Sequence, residues 1–255
     1  MKIGQELKAF LDEKAEQYGN PELFIPSDPI QIPHQFSDPK DQEVVGFFTA
    51  LIAWGQRPTI IKNAQKWVEA LDGTPYQYLM HAKPQEFNHL DRFVHRTMNG
   101  IDAIFITERL SRLIKMHGSI DRFLMQFPGG AKEKLVGLHH FFVFEQTLPR
   151  TAKHIANPSK GSAAKRLNMY FRWMVRKNKS TGVDFGIWKC LEPKDLMLPL
   201  DVHTGNVSRK LGLLNRKQSD WKAVDEITHN LRNLDKMDPI KYDYALFGLG
   251  AFEGF

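Results

Sequence analysis

One cysteine, Cys190, stands among 255 residues. A single thiol excludes an internal disulfide framework and any iron–sulfur cluster or zinc site held by several thiolates. It also fits a reducing, cytoplasmic setting. Apolar runs of membrane-spanning length are missing. The start of the chain carries Lys2, Glu6, Lys8, Asp12, Glu13, Lys14 and Glu16, too many charges for the apolar core of a signal peptide. There is no glycine-rich nucleotide loop: Gly129-Gly130 follows Pro128 as a turn, and Gly248 and Gly250 fall in or at the end of an apolar closing segment. His139, His140 and His203 have neither thiolate company nor His-Glu-x-x-His spacing, so neither a metal nor another cofactor is expected.

What is present describes a globular protein. Hydrophobic residues make up 42% and charged residues 25%, ordinary values that argue against disorder and against a fibrous repeat. A chain of this length can bury a core without staples, as one larger domain or two small lobes. The net charge is +6, but the distribution says more. No acid occurs over residues 146–183, where Arg150, Lys153, Lys160, Lys165, Arg166, Arg172, Arg176, Lys177 and Lys179 stand. These nine cations exceed the net charge, so the remainder is slightly acidic. A concentration of this kind is either the footprint of a phosphate-backbone binder or a solvated basic helix face.

Apolar residues recur at helical spacing wherever they cluster. Val44, Phe47, Phe48, Leu51 and Ile52 make one stripe, and Ile60, Ala64, Trp67, Val68 and Leu71 a second. Further stripes are Leu135, Leu138, His139 and Phe142; Leu167, Tyr170, Phe171 and Met174; and Trp221, Val224, Thr228 and Leu231. No period-two strand pattern and no internal repeat accompany them. The expected fold class is all-α. Residues 20–39 hold Pro21, Pro26, Pro29, Pro33 and Pro39, which predicts an extended strap between the first helix and the rest. Residues 178–199 form a second irregular stretch. The resulting division is residues 1–40, a helix and its strap, and residues 41–255, the main domain. Asp201 after Pro199-Leu200 is placed to cap a helix that Gly212 closes. Asp238-Pro239 repeats the device, with the aspartate capping and the proline at the first helical position.

The run Leu198-Pro199-Leu200-Asp201-Val202-His203-Thr204-Gly205-Asn206-Val207-Ser208-Arg209 resembles the hallmark of the helix-hairpin-helix DNA glycosylase superfamily. So does the preceding Pro158-Ser159-Lys160-Gly161-Ser162-Ala163-Ala164-Lys165-Arg166-Leu167, at the family's hairpin and the lysine that opens its second helix. Phe47-Phe48-Thr49-Ala50-Leu51-Ile52-Ala53-Trp54-Gly55-Gln56-Arg57 is similar to the family helix whose end carries a gap-filling polar residue. The resemblance runs from about Asp41 to the C-terminus. More narrowly, Lys165-Arg166-Leu167-Asn168-Met169 and Arg172-Trp173-Met174-Val175-Arg176 look like an uncharacterised bacterial domain-of-unknown-function family within that superfamily. Two features depart from the superfamily pattern: the hairpin has only Gly161, and Asp201 stands 36 positions after Lys165, a longer separation than usual.

The resemblance implies a two-lobed helical glycosylase-like fold with a helix-hairpin-helix element and a groove between the lobes. It further implies duplex DNA as partner, no membrane and no iron–sulfur cluster, and a cytoplasmic, nucleoid-associated location. Under it Asp201 is the carboxylate that stabilises positive charge on the sugar as the N-glycosidic bond breaks; by position alone it is an ordinary helix cap. Lys165 is the amine nucleophile of a glycosylase with lyase activity, or a phosphate contact. If it is only a contact, Asp201 can activate water and remove the base without strand cleavage. Gln56 is the candidate wedge for an extruded nucleotide, beside Arg57. Lys160, Gly161, Arg166, Arg172, His203 and Arg209 complete the expected DNA contacts. A non-catalytic DNA-binding protein with the same fold is the alternative.

Overall fold

In the computed structural model, which describes residues 2–145, 147–177 and 182–255, the chain is all-helical. Lys179, one of the nine cations above, lies outside the described residues, as do Gln146, Asn178, Ser180 and Thr181. The α-helices are α1 (Lys2–Tyr18), α2 (Pro21–Phe24), α3 (Pro39–Ile52), α4 (Arg57–Ala70), α5 (Pro75–His81), α6 (Gly100–His117), α7 (Ile120–Leu124), α8 (Ala131–Phe142), α9 (Pro149–Ala152), α10 (Lys165–Val175), α11 (Val202–Lys210), α12 (Trp221–Leu234) and α13 (Tyr242–Phe252). Among the described residues no strand forms, and only two isolated bridges occur, His95 with Met98 and Ser162 with Asp220. No helix among the described residues is long and apolar enough to cross a membrane.

Contacts divide the chain into two units. One comprises Met1–Pro26, Gly130–Lys132 and Asn157–Phe255; the other, Ser27–Gly129 and Glu133–Ala156. The first helix thus belongs with the C-terminal helices, a different partition from a cut at residue 40. The proline-rich segment is not an extended strap either. Its prolines open successive short turns, Pro21 in α2 and Pro29 and Pro33 in 3₁₀ turns, while Asn20 and Asp28 accept the amides of Glu22 and Ile30. Proline lacks only a donor that the first helical turn leaves unpaired anyway, so closely spaced prolines after Asx caps produce helix starts rather than extension.

The middle unit is built on α3, whose residues from Glu43 to Ile52 are buried without interruption. Phe48 stacks on Trp67 of α4 at 4.4 Å between ring centroids, and the Trp67 indole donates to Thr107 of α6 at 3.0 Å. Glu43 is buried because it has work there: its two oxygens accept the amides of Ile120 and Asp121 at 3.0 and 2.9 Å, capping α7 from a distant helix. Asn99 and Asp102 cap α6 reciprocally, and Gly118, at φ +80°, ends it.

In the other unit α13 is packed by α1 and α11. Glycine permits both approaches: a Cβ on Gly248 would stand 2.1 Å from the Tyr18 ring, and one on Gly250 3.0 Å from His203 Cβ. Leu167, Tyr170, Phe171 and Met174 turn the apolar stripe of α10 inward as its periodicity predicts. Asp238 precedes Pro239 as expected, but it does not cap. Pro239–Lys241 is a 3₁₀ turn without a side-chain cap, because the Asp238 carboxylate is engaged by Arg176 Nε at 2.9 and 3.0 Å.

Candidate functional site

The site grows from two helix starts. Ahead of α10, Asn157 accepts the Ser159 amide, and Gly161 at φ +85° turns the chain back. Ser162 Oγ then takes the amide of Ala164, which is left-handed at φ +47°, and the helix opens on Lys165. The Trp221 amide donates to Gly161 O at 3.0 Å, fixing this turn to the start of α12. Ahead of α11, Asp201 caps through Oδ1, which accepts the Thr204 amide at 2.9 Å while Thr204 Oγ1 takes the Asp201 amide at 2.8 Å. The sequence-based expectations of a lysine opening one helix and an aspartate capping the other therefore hold.

The two side chains meet. Lys165 Nζ lies 3.8 Å from Asp201 Oδ2, the oxygen not committed to capping. The lysine side chain is 34% and the aspartate 20% exposed, so the pair is accessible yet partly walled in. Two positive helix ends stand behind it, an arrangement that attracts a further anion. The long separation in sequence is accommodated by residues 182–199, which stay packed: Phe185 and Trp188 donate amides to Trp173 O at 2.8 Å and Met174 O at 2.9 Å.

Beneath the pair lies a buried ionic network. Arg172 Nε contacts Asp184 at 3.2 Å and Arg172 Nη1 hydrogen-bonds Asp243. Arg176 reaches Asp184 at 2.9 Å as well as Asp238, and Arg172 stacks over the Tyr244 ring at 4.3 Å. Burial pushes the Asp243 carboxyl up to about 6, against the pull of Arg172; Asp201 raises it further and Lys165 opposes. Burial alone would lower the Arg176 guanidinium, but Asp184 and Asp238 outweigh it and leave it raised. Neither Asp184 nor Asp243 is among the residues that motif reasoning singles out. The signal for them was an acid inside the apolar run Tyr242-Asp243-Tyr244-Ala245-Leu246 and an arginine on the apolar face of α10, each of which needs a buried partner.

The expected DNA contacts take varied positions. Lys160 and Gly161 are exposed on the turn before α10, and a Cβ on Gly161 would meet nothing within 4 Å. Arg166 is half-buried, and burial holds its guanidinium down, at about 10. His203 is exposed, with Nδ1 3.2 Å from Gly250 O. Arg209 spends Nε and Nη2 on Arg216 O and Lys217 O, both at 2.9 Å, and so shapes the 215–218 loop. Arg172 is corrected: its side chain is 4% exposed and its charge is met by two internal carboxylates, which withholds it from a phosphate backbone. Arg176, from the same basic run, is enclosed in the same way.

Gln56 and Arg57 belong to the middle unit. Gln56 is not the end of its preceding helix. Helix α3 stops at Ile52, Gly55 turns at φ +110°, and Gln56 is the exposed residue just before α4, which Arg57-Pro58 opens. Proline at a helix start sets this boundary.

These features define an all-helical protein with a lysine–aspartate pair at two adjoining helix N-termini. Residues 28–252 match the family described as "Protein of unknown function (DUF2400)", and the chain belongs to that family. Comparison with curated proteins found no match, nor did comparison with solved structures. Membership agrees with the narrower resemblance, to a domain-of-unknown-function family, carried by the α10 sequence.

Proposed function

We propose that the protein is a base-excision DNA glycosylase with lyase activity, which removes a damaged base from duplex DNA. The observation that carries this reading is the 3.8 Å approach of Lys165 Nζ to Asp201 Oδ2 at a partly exposed site. In the proposed reaction the neutral Lys165 amine attacks the anomeric carbon. The C1′–N bond breaks, and the base departs with the bonding electron pair. The Asp201 carboxylate stabilises positive charge on the sugar in the transition state. The amine must lose its proton before it can attack. Lys160, Lys153 and Lys177 are exposed and supply the proposed phosphate contacts, with Gln56 as the wedge residue. Membership of the helix-hairpin-helix glycosylase superfamily, the glycosylase-type two-lobed architecture and a cytoplasmic, nucleoid-associated location are parts of the same proposal.

A second reading is a non-catalytic DNA-binding protein of the same fold. It is favoured by the engagement of Lys165 with Asp201, which is also how a plain partly exposed ion pair looks. Base release from duplexes carrying a panel of damaged bases separates the two. The glycosylase reading expects release from at least one duplex and its loss in Asp201→Asn. Salt-sensitive duplex binding with no release from any member of the panel supports the binding protein.

A further inference from the structure

The middle unit carries a strained turn whose tip is an arginine. His95 and Met98 exchange amide hydrogen bonds at 2.9 Å in both directions, which leaves Arg96 and Thr97 as a two-residue loop. Arg96 stands at φ +56°, at the position that such tight loops give to glycine, asparagine or aspartate. The surroundings hold it there. His95 is buried, with Nδ1 3.0 Å from Asn63 Nδ2 and Nε2 3.1 Å from Trp54 O, and Arg150 donates to Thr97 O at 3.2 Å. A backbone kept in a sparsely populated region by this many contacts costs folding energy, and such strain collects where a side chain has a task.

The Arg96 side chain is exposed, and among the described residues no carboxylate engages it. It lies instead over the half-buried Trp54 indole, with the guanidinium carbon 4.9 Å from the ring centroid. Gly55, at φ +110°, admits this approach: a Cβ there would stand 2.9 Å from both Cδ and Nη1 of Arg96. Gln56 follows, exposed, just before α4. A planar cation backed by an aromatic ring is a surface on which a nucleobase stacks, because every base has a π-face and bases lie on arginine planes as they do on aromatic rings. A phosphate contact needs none of this, since an unstrained lysine or arginine on any exposed helix supplies it. We propose that Arg96, stacked on Trp54, is the seat of an unpaired nucleobase beside Gln56. The inference rests on the reading of duplex DNA as the ligand and deepens it by naming a base-stacking site in the middle unit.

The test compares the affinity of the full chain for two duplexes by fluorescence anisotropy. Both carry a stable abasic analogue, faced on the other strand by adenine in one duplex and by a second abasic analogue in the other, so their phosphates are equal in number. Wild type should bind the adenine duplex about tenfold more tightly. In Arg96→Lys, which keeps the charge and loses the plane, that ratio should fall to about one. A wild-type ratio near one, or a ratio that stays near ten in Arg96→Lys, overturns the proposal. Arg96→Gly should also lose the ratio while melting no lower than wild type, because glycine takes φ +56° without strain. An Arg96→Gly chain that melts well below wild type gives the arginine a purely structural role and overturns the proposal as well. If wild type binds neither duplex at low salt, the DNA reading itself falls and this inference with it, whereas tight binding of both at a ratio of one sinks the stacking site alone.

Discussion

Asp201 offers Lys165 only one of its two carboxylate oxygens. Oδ1 is committed to the Thr204 amide at the start of α11, and Oδ2 faces the Lys165 amine at 3.8 Å. The cap fixes the carboxylate's orientation, and the division lets one aspartate serve fold and site together. Asp201→Asn should keep the cap at little cost in stability, whereas Asp201→Ala should lose about 1 kcal/mol by chemical denaturation. Equal stability of the two variants would remove the capping role.

The buried network under the pair makes its own prediction. Arg172→Met leaves Asp184 and Asp243 short of a partner in a nearly closed space. Removing one member of a buried ion pair typically costs about 3–5 kcal/mol, and urea unfolding should read a loss of that order. A loss below about 1 kcal/mol would mean that Arg172 is an exposed cation after all.

Asp243 also sets a pH dependence. Burial raises its carboxyl from 3.8 to about 6, so between those values the folded chain holds more proton than the unfolded chain. This group's contribution is therefore fully present below about pH 4 and is lost as pH rises through 6. The stability of Asp243→Asn relative to wild type should climb across that window and level off above it. A flat difference from pH 4 to 7 would contradict the assigned burial.

Close packing at glycine predicts opposite effects for the same substitution. Gly248→Ala drives a methyl into the Tyr18 ring, 2.1 Å away, and should cost about 1–3 kcal/mol. Gly4→Ala, in helix α1 with nothing within 4 Å, should add about 0.5–1 kcal/mol. Thermal unfolding of both variants checks the α1–α13 contact; a neutral Gly248→Ala would argue against it.

The helices were readable because their apolar stripes keep a strict 3.6 period, as in Val44, Phe47, Phe48, Leu51 and Ile52 of α3. The Asp201 end of the candidate site was readable because local chemistry writes a helix start there, an aspartate after Pro199-Leu200 ahead of a run closed by Gly212, whereas Lys165 as the opening residue of α10 came only from the family resemblance. The network behind them was not. Asp184 sits in a segment without periodicity, and its meeting with Arg172 and Arg176 depends on how residues 182–199 fold back on α10. Composition misled in two places. A run of nine cations looked like one surface, yet Arg172 and Arg176 are internal, and a proline-rich stretch looked extended where Pro21, Pro29 and Pro33 open short turns.

Exposure separates the remaining cations. Lys160→Gln should weaken duplex DNA binding alike on all sequences and reduce the slope of log affinity against log salt by about 0.9, the share of one phosphate contact. Electrophoretic mobility shifts across a salt series measure it. An unchanged slope would take the turn before α10 out of the interface.

Borohydride trapping on duplex DNA with an abasic site tests the central claim most directly. In the proposed chemistry the Lys165 amine would condense with the C1′ aldehyde of the opened sugar, releasing water, and the reductant would fix the iminium as a stable amine linkage. The account predicts a covalent protein–DNA adduct in wild type, none in Lys165→Ala, and a slower one in Asp201→Asn. Bound duplex without adduct, or an adduct that persists in Lys165→Ala, would contradict it.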